Sequence, residues 1–233
     1  MHAAAYDALG LDHTYDAARV QAGTLGTRLK DLRHKGYRGV NITVPLKEEA
    51  LGACNADAFA LRCGAVNTID LSTGAGINTD GPGFVEVVRG IQGRQVLLLG
   101  AGGSARALAV ALIESGYGLT LWNRTPERAS SLAASLGVYW SESIPMDGYD
   151  IAVNATSSSL QGEGLDMTYL SSKTYVDLYY SAEGDTRFVA AARAAGATAI
   201  DGRELLVAQG ALSFEFWLGI PAPRQAMRRA VRL

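Results

Sequence analysis

Apolar residues fall along this chain in two rhythms. From Val96 to about Asp201, short apolar runs alternate with stretches of helical spacing. The clearest run, Val96-Leu97-Leu98-Leu99, has no polar member and stops at Gly100. It predicts a strand covered on both faces, as in a parallel sheet. Ala107 to Ile113 follows as an apolar helix, and Leu119 to Asn123 as the next strand. Before Gln95 the pattern is more broken. It predicts a short helix over residues 3–9 ending near Gly10, a strand from His13 to Val20, and a helix from Leu25 to Leu32 ending near Gly36. A strand over Gly39 to Thr43 is stopped by Pro45, and a helix runs from Leu46 to Cys54 with the proline near its first turn. Ala65 to Leu71 reads as a strand, Ser72 to Gly76 as a turn, and Phe84 to Ile91 as a helix. Gly202 opens a last helical region broken by Pro221 and Pro223.

The predicted class is therefore α/β, with a doubly wound parallel sheet that begins near Gln95 and a separate α/β region before it. The join between the first strand of that sheet and its helix reads Gly100-Ala101-Gly102-Gly103-Ser104-Ala105. Gly100 and Gly102 give the tight turn and close backbone approach, and Ala105 fills the third small position. This is the Gly-x-Gly-x-x-Gly/Ala pattern that sets a dinucleotide pyrophosphate on a helix N-terminus. The next strand ends Asn123-Arg124-Thr125, with Arg128 one helical turn on and no carboxylate before Glu127. A carboxylate at that tip would bind a ribose 2′-hydroxyl and repel a 2′-phosphate, whereas a guanidinium binds the phosphate through paired charged hydrogen bonds. The expected cofactor is NADP(H) rather than NAD(H).

Composition narrows the picture. The 233 residues, 48% of them hydrophobic, are ample for a large core or two smaller ones. A net charge of −2 with dispersed basic residues makes no case for nucleic acid. Arg224, Arg228, Arg229 and Arg232 read as a solvated helix face. No apolar run reaches membrane-spanning length and no signal peptide is visible. Cys54 and Cys63 lack metal-site spacing and are expected to stay reduced in the cytoplasm. With His2, His13 and His34 scattered, neither a zinc site nor a serine triad is predicted.

Lys47 follows the rigid Thr43-Val44-Pro45-Leu46 turn at a helix start. The helix dipole disfavours an ammonium there, a setting suited to proton transfer, although a surface lysine is the commoner reading of such a position. Glu48 and Glu49 read as first-turn acids, and Asp80 before Gly81-Pro82-Gly83 as an N-cap or a functional acid. Taken in order, Gly39 to Lys47, Gly64-Ala65-Val66-Asn67-Thr68, Asn78-Thr79-Asp80-Gly81, Gly100 to Ala105, Asn123-Arg124-Thr125 and Leu206-Val207-Ala208-Gln209 resemble the shikimate dehydrogenase family, over nearly the whole chain.

The resemblance implies a substrate domain (1–79), a Rossmann-type NADP domain (80–202) and C-terminal helices (203–233) that return to the first domain. It implies reversible NADPH-dependent reduction of 3-dehydroshikimate to shikimate in aromatic amino-acid biosynthesis. By position Lys47 and Asp80 match the catalytic pair, while Thr43, Asn67, Asp80, Tyr180 and Gln209 match substrate-binding positions. The stretch 100–105, Asn123, Arg124, Thr125 and Arg128 match cofactor positions, with Leu178 and Gly202 on the nicotinamide side. The small-molecule substrate is the expected partner, and the arrangement fits a monomer or homodimer.

Two departures matter. The family normally opens with a strand and a Ser-x-Ser pair that holds the substrate carboxylate, whereas Met1-His2-Ala3-Ala4 aligns with the helix after them. The expectation is that Met1 is internal and the working protein begins upstream. The alternative is a shorter product with a rearranged or relic substrate domain. Loss of that strand would strip ladder partners from its neighbours and expose apolar surface. Gly202-Arg203-Glu204-Leu205 also stands where the family more often has a further Gly or Pro. A quinate/shikimate dehydrogenase and a non-catalytic NADP-binding protein are the rival readings.

Overall fold

A computed structural model describes residues 1–145, 148–159, 161, 165 and 171–233. It divides into two compact units, the first formed by Met1–Gly83 and Leu206–Leu233, the second by Phe84–Leu205. Each is described by itself.

The first unit begins with α1 (His2–Ala8) and α2 (Leu25–His34), then β1 (Gly39–Asn41), α3 (Lys47–Leu51), β2 (Asn55–Ala56), α4 (Ala58–Cys63), β3 (Thr68–Asp70), β4 (Ala75–Ile77) and the start of α5 (Asp80–Val88). Its sheet has the order β1-β3-β4-β2, with β3 antiparallel to both neighbours and β2 parallel to β4. Leu25, Leu29 and Leu32 on one face of α2 pack against Ile42, Val66, Ile69 and Leu71. A second small core joins Ala5 and Tyr6 of α1 to Val207, Ala211, Phe214 and Met227 from the end of the chain.

The second unit continues through β5 (Gln95–Leu99), α6 (Gly103–Glu114), β6 (Gly118–Trp122), α7 (Pro126–Leu136), β7 (Tyr139–Ser141), β8 (Tyr149–Asn154), β9 (Ser172–Asp177), α8 (Arg187–Ala194) and β10 (Thr198–Ile200). Then come α9 (Gly202–Leu218), which runs on into the first unit, and α10 (Arg224–Ala230). The sheet here is wholly parallel, ordered β10-β9-β8-β5-β6-β7. The chain winds outward both ways from β5, so the end of β5 is the topological switch point of a Rossmann-type sheet. The unbroken apolar run of β5 follows from that position. Val96 and Leu98 pack with Leu108, Ala109 and Leu112 of α6 on one face. Leu97 and Leu99 pack with Tyr175, Phe188 and Ala192 on the other. All four are fully buried. Burying each such side chain is worth about 2 kcal/mol.

Several local expectations need correction. No strand forms over His13 to Val20. A strand requires a hydrogen-bonded neighbour. Here a cavity of about 720 Å³, lined by residues from both sides, lies between this segment and β1, so no ladder closes and β1 is an edge. Side chains tie the segment down instead, through Tyr15 Oη to Asn41 Oδ1 at 2.9 Å and Tyr37 Oη to Asp16 Oδ2 at 3.2 Å. The helix expected from Leu46 to Cys54 is only Lys47–Leu51, with Pro45 lying before its N-cap, Leu46. Glu49 does not serve its own helix alone: its carboxylate accepts from the N–H groups of Gly23 and Leu25, capping α2. The strand over Ala65 to Leu71 contracts to β3, and the turn at 72–76 gives way to β4 from Ala75. The elements β2 and α4 go beyond the periodicity, although α4 carries the usual start and stop signals, an Asp57 N-cap accepting from Ala60 N–H and a left-handed Gly64. Finally α5 starts at Asp80, earlier than Phe84, because Asn78 Oδ1 accepts from Asp80 N–H and turns the chain into the helix.

Candidate active site and nucleotide site

The first unit gathers a dense polar cluster where the strand ends of β1, β3 and β4 meet α3, α5 and α9. Lys47 is the first residue of α3 and Asp80 the first of α5. The two side chains meet, with Lys47 Nζ donating to Asp80 Oδ2 at 2.6 Å. Neither is fully buried; their side chains are 19% and 12% exposed, so the pair is reachable by a small molecule. Asp80 is not the N-cap of α5. Its other oxygen, Oδ1, accepts from Asn67 Nδ2 at 2.9 Å.

Asn67 itself is held from both ends. Its Oδ1 accepts from Thr79 N–H at 2.8 Å and from Thr68 Oγ1 at 3.0 Å, and its Nδ2 also donates to Thr79 Oγ1 at 3.0 Å. The helix α9 closes over this layer with Gln209, Ser213 and Trp217, which repeat every four residues and share one face. Thr79 Oγ1 reaches Gln209 Oε1 at 3.5 Å, Ser213 Oγ contacts Thr68 Oγ1 at 2.8 Å, and Trp217 Nε1 donates to the Ile69 carbonyl at 3.0 Å. The approach depends on glycine. A Cβ on Gly83 would stand 2.9 Å from Gln209 N, and one on Gly39 would strike the Trp217 ring. Of the residues expected at a site, Lys47, Asp80, Asn67 and Gln209 come together. Thr43 is exposed in the turn before α3, its carbonyl accepting from Leu46 N–H. Thr68, Thr79, Ser213 and Asn41 join the cluster without having been expected as site residues. Asn41, Thr68 and Thr79 lie inside the motifs that carry the family resemblance, and the four-residue spacing from Gln209 is the signal that could have found Ser213.

Chemically, the pair sets a cation and an anion side by side at a partly open rim. An ammonium there stabilises a negative oxygen and can exchange a proton with it. The carboxylate fixes where the ammonium sits.

In the second unit the residues at the switch point form a different kind of site. Gly100 has φ +124°, and a Cβ there would lie 2.9 Å from the Ala155 carbonyl, so only glycine fits. Its N–H donates to the Trp122 carbonyl at 2.7 Å, which ties the turn to β6. Gly102 is the N-cap of α6, and a Cβ on it would enter open space. The first helical turn, Gly103, Ser104 and Ala105, offers backbone N–H groups and the positive end of a helix dipole toward that space. Ala105 is buried beneath it. Gly100 therefore serves the fold, while Gly102 leaves open space before the start of α6. Past Ala101, at the end of β6, Asn123 Nδ2 donates to the Thr125 carbonyl at 2.9 Å, Thr125 is the N-cap of α7, and Arg124 and Arg128 are exposed.

At the ends of β8 and β9, Asp177 is buried and accepts from Asn154 Nδ2, Ser159 Oγ, Thr186 Oγ1 and Tyr179 N–H. Burial pushes its carboxyl up from the ordinary range against those four donors. Leu178 N–H donates to the Asn154 carbonyl, and Gly202 N–H to that of Tyr179. A Cβ on Gly202 would stand 2.3 Å from the Leu178 carbonyl, so glycine is required there. Tyr180 is 48% exposed. The following Arg203 folds back on Asp201 at 2.6 Å.

Three family models match the chain in order. They are the shikimate dehydrogenase substrate binding domain over residues 1–69, shikimate / quinate 5-dehydrogenase over 85–161 and the shikimate 5′-dehydrogenase C-terminal domain over 202–232. A shikimate dehydrogenase (NADP(+)) of Methanothrix thermoacetophila is 39% identical, aligned over 100% of this chain and 90% of its own length. One of Thermus thermophilus is 38% identical over 100% of this chain and 91% of its own. A crystal structure of shikimate 5-dehydrogenase from Thermus thermophilus in complex with NADP(H) and shikimate, 38% identical, superposes with a TM-score of 0.89, covering 99% of this chain and 92% of that one. These matches, spread over both units, establish that the chain belongs to the shikimate dehydrogenase family.

Proposed function

We propose that this chain is an NADP(H)-dependent dehydrogenase that interconverts 3-dehydroshikimate and shikimate in aromatic amino-acid biosynthesis. The observation that carries the reading is the Lys47–Asp80 contact at 2.6 Å, largely buried and braced by Asn67. Bound NADPH supplies the hydride. Lys47 Nζ holds the proton for the substrate oxygen that becomes the alcohol, and its charge stabilises that oxygen as negative charge develops. Asp80 fixes the ammonium and accepts from a ring hydroxyl. Asn67, Gln209 and Thr43 bind the remaining hydroxyls, each able to donate as well as accept. Tyr180 completes the substrate contacts, and Leu178 and Gly202 border the nicotinamide. Residues 100–105 take the pyrophosphate. Asn123, Arg124, Thr125 and Arg128 take the adenosine end, with the guanidinium groups on the 2′-phosphate. Residues 1–79 and 203–233 are read as the substrate domain and 80–202 as the cofactor domain. Two free cysteines, one buried and one half-buried, suit a reducing compartment, the cytoplasm. Among the described residues no helix is long and apolar enough to cross a membrane.

The test is direct. Purified chain is mixed with NADPH and 3-dehydroshikimate, and loss of NADPH absorbance is followed, with 3-dehydroquinate in parallel. Turnover of the first supports the reading. Turnover of both makes it a quinate/shikimate enzyme. Tight NADPH binding without turnover of either overturns it in favour of a non-catalytic binding protein.

A further inference from the structure

We propose that the buried hydroxyls of Thr68 and Ser213 are positioning groups for the reaction, acting through Asn67 on the Asp80 carboxylate. The inference rests on the reading of Lys47 and Asp80 as the reacting pair. Both hydroxyl-bearing residues are fully buried, Thr68 on β3 and Ser213 on α9.

The direction of the hydrogen bonds at Asn67 follows from groups that can only give or only take. Thr79 N–H is a pure donor and faces one end of the Asn67 amide at 2.8 Å, so that end is the oxygen. The opposite end, Nδ2, then donates to Asp80 Oδ1 at 2.9 Å. A flipped amide would set its carbonyl against a carboxylate and its NH₂ against an N–H. Thr68 strengthens the correct choice. Asn41 Nδ2 donates to Thr68 Oγ1 at 3.1 Å, so the Thr68 proton is free to go to Asn67 Oδ1 at 3.0 Å. The same Asn41 Nδ2 reaches Ser213 Oγ at 2.9 Å and the Asn67 main-chain carbonyl at 3.4 Å, a pure acceptor that marks this end of the amide as the nitrogen. Ser213 shares its single proton between Thr68 Oγ1 at 2.8 Å and the Gln209 carbonyl at 3.0 Å, which ties Thr68 to α9. The donors therefore run from Asn41 on β1 through Thr68 on β3 and Asn67 to the carboxylate, with Ser213 holding the near end of the chain from α9. In a site this dry each member is worth more for being fully satisfied, and loss of one hydroxyl leaves its neighbours without partners.

The experiment uses Thr68→Val, which keeps shape and removes the hydroxyl, with Thr68→Ser as rescue. The expected result is a kcat about tenfold lower for Thr68→Val, an unchanged NADPH dissociation constant, and recovery to within about twofold in Thr68→Ser. In an Asp80→Asn background the same exchange should cost less than about twofold, because the group it positions is gone. A wild-type kcat in a Thr68→Val protein that merely melts earlier overturns the proposal. So does a loss that stays fully additive with Asp80→Asn. Should Thr68→Val not fold, Ser213→Ala is expected to lower kcat about threefold, and no change there overturns it equally. The side-chain amide signal of Asn67 in ¹⁵N-labelled protein provides a readout free of turnover. It should shift in Thr68→Val, and an unmoved signal refutes the positioning role. An inactive wild type with a moved Asn67 signal would instead refute the substrate reading.

Discussion

The polar cluster around Asp80 and the glycine turn after β5 solve opposite problems. The cluster is made of side chains. Lys47, Asn67, Thr68, Thr79, Asp80 and Ser213 come from four separate stretches of the chain and interlock through hydrogen bonds shorter than about 3.2 Å. The glycine turn is made of backbone. Its defining positions, Gly100 and Gly102, carry no side chain at all, and what it presents is a helix end and free N–H groups. A site built from side chains is sensitive to the loss of any one polar atom, because each buried partner left behind keeps its desolvation cost uncompensated. One built from backbone is sensitive to the addition of atoms.

The contrast can be broken most severely at Lys47. Lys47→Ala should lower kcat about 10³-fold and leave NADPH affinity within about twofold of wild type, measured by steady-state kinetics and fluorescence titration. A matching loss of NADPH binding would remove the distinction between the two sites. Next in size is Gly102→Ala. Its added methyl group enters the open space before α6, so NADPH binding should weaken about tenfold or more while stability falls by about 1 kcal/mol at most. Gly100→Ala should do the reverse in order of cause, costing about 2 kcal/mol or more through its positive φ and the Ala155 carbonyl. Thermal denaturation without ligand separates the two substitutions. Arg124→Ala should raise KM for NADP about tenfold and leave KM for NAD nearly unchanged. Equal effects on both would show that this side chain does not read the phosphate.

The smallest effect concerns Asp177. Its carboxyl is raised by burial, so the folded state holds that proton more tightly than the unfolded chain does. Stability from this group is therefore present at pH below the unfolded carboxylate value and is lost as pH rises through the raised folded one. Asp177→Asn removes the dependence. Its stability relative to wild type should improve as pH is raised from mildly acid to neutral, followed by urea denaturation. A difference that is flat with pH would show that the four donors cancel the burial.

Much of the second unit was legible in the sequence. An unbroken apolar run, two glycines and a small residue specify a buried strand, a turn and a helix from neighbours in the chain, and all lie within residues 96–113. The first unit was harder. The strand expected over His13 to Val20 fails because no ladder partner lies beside it, a fact no local pattern contains. The start of α5 departs from expectation because Asn78, not Asp80, turns the chain into it. Glu49 caps a helix other than its own for a related reason.

Taken alone, the sequence determined the alternating sheet, the glycine turn and the residue types fit for proton transfer and phosphate binding, because each depends on spacing along the chain. Only the tertiary structure decided that Asp80 faces Lys47 instead of capping its helix, and that Ser213, 145 residues beyond Thr68, shares its buried network. Hydrogen-bond direction and burial are properties of groups brought together from distant positions, and no local pattern of residues encodes them.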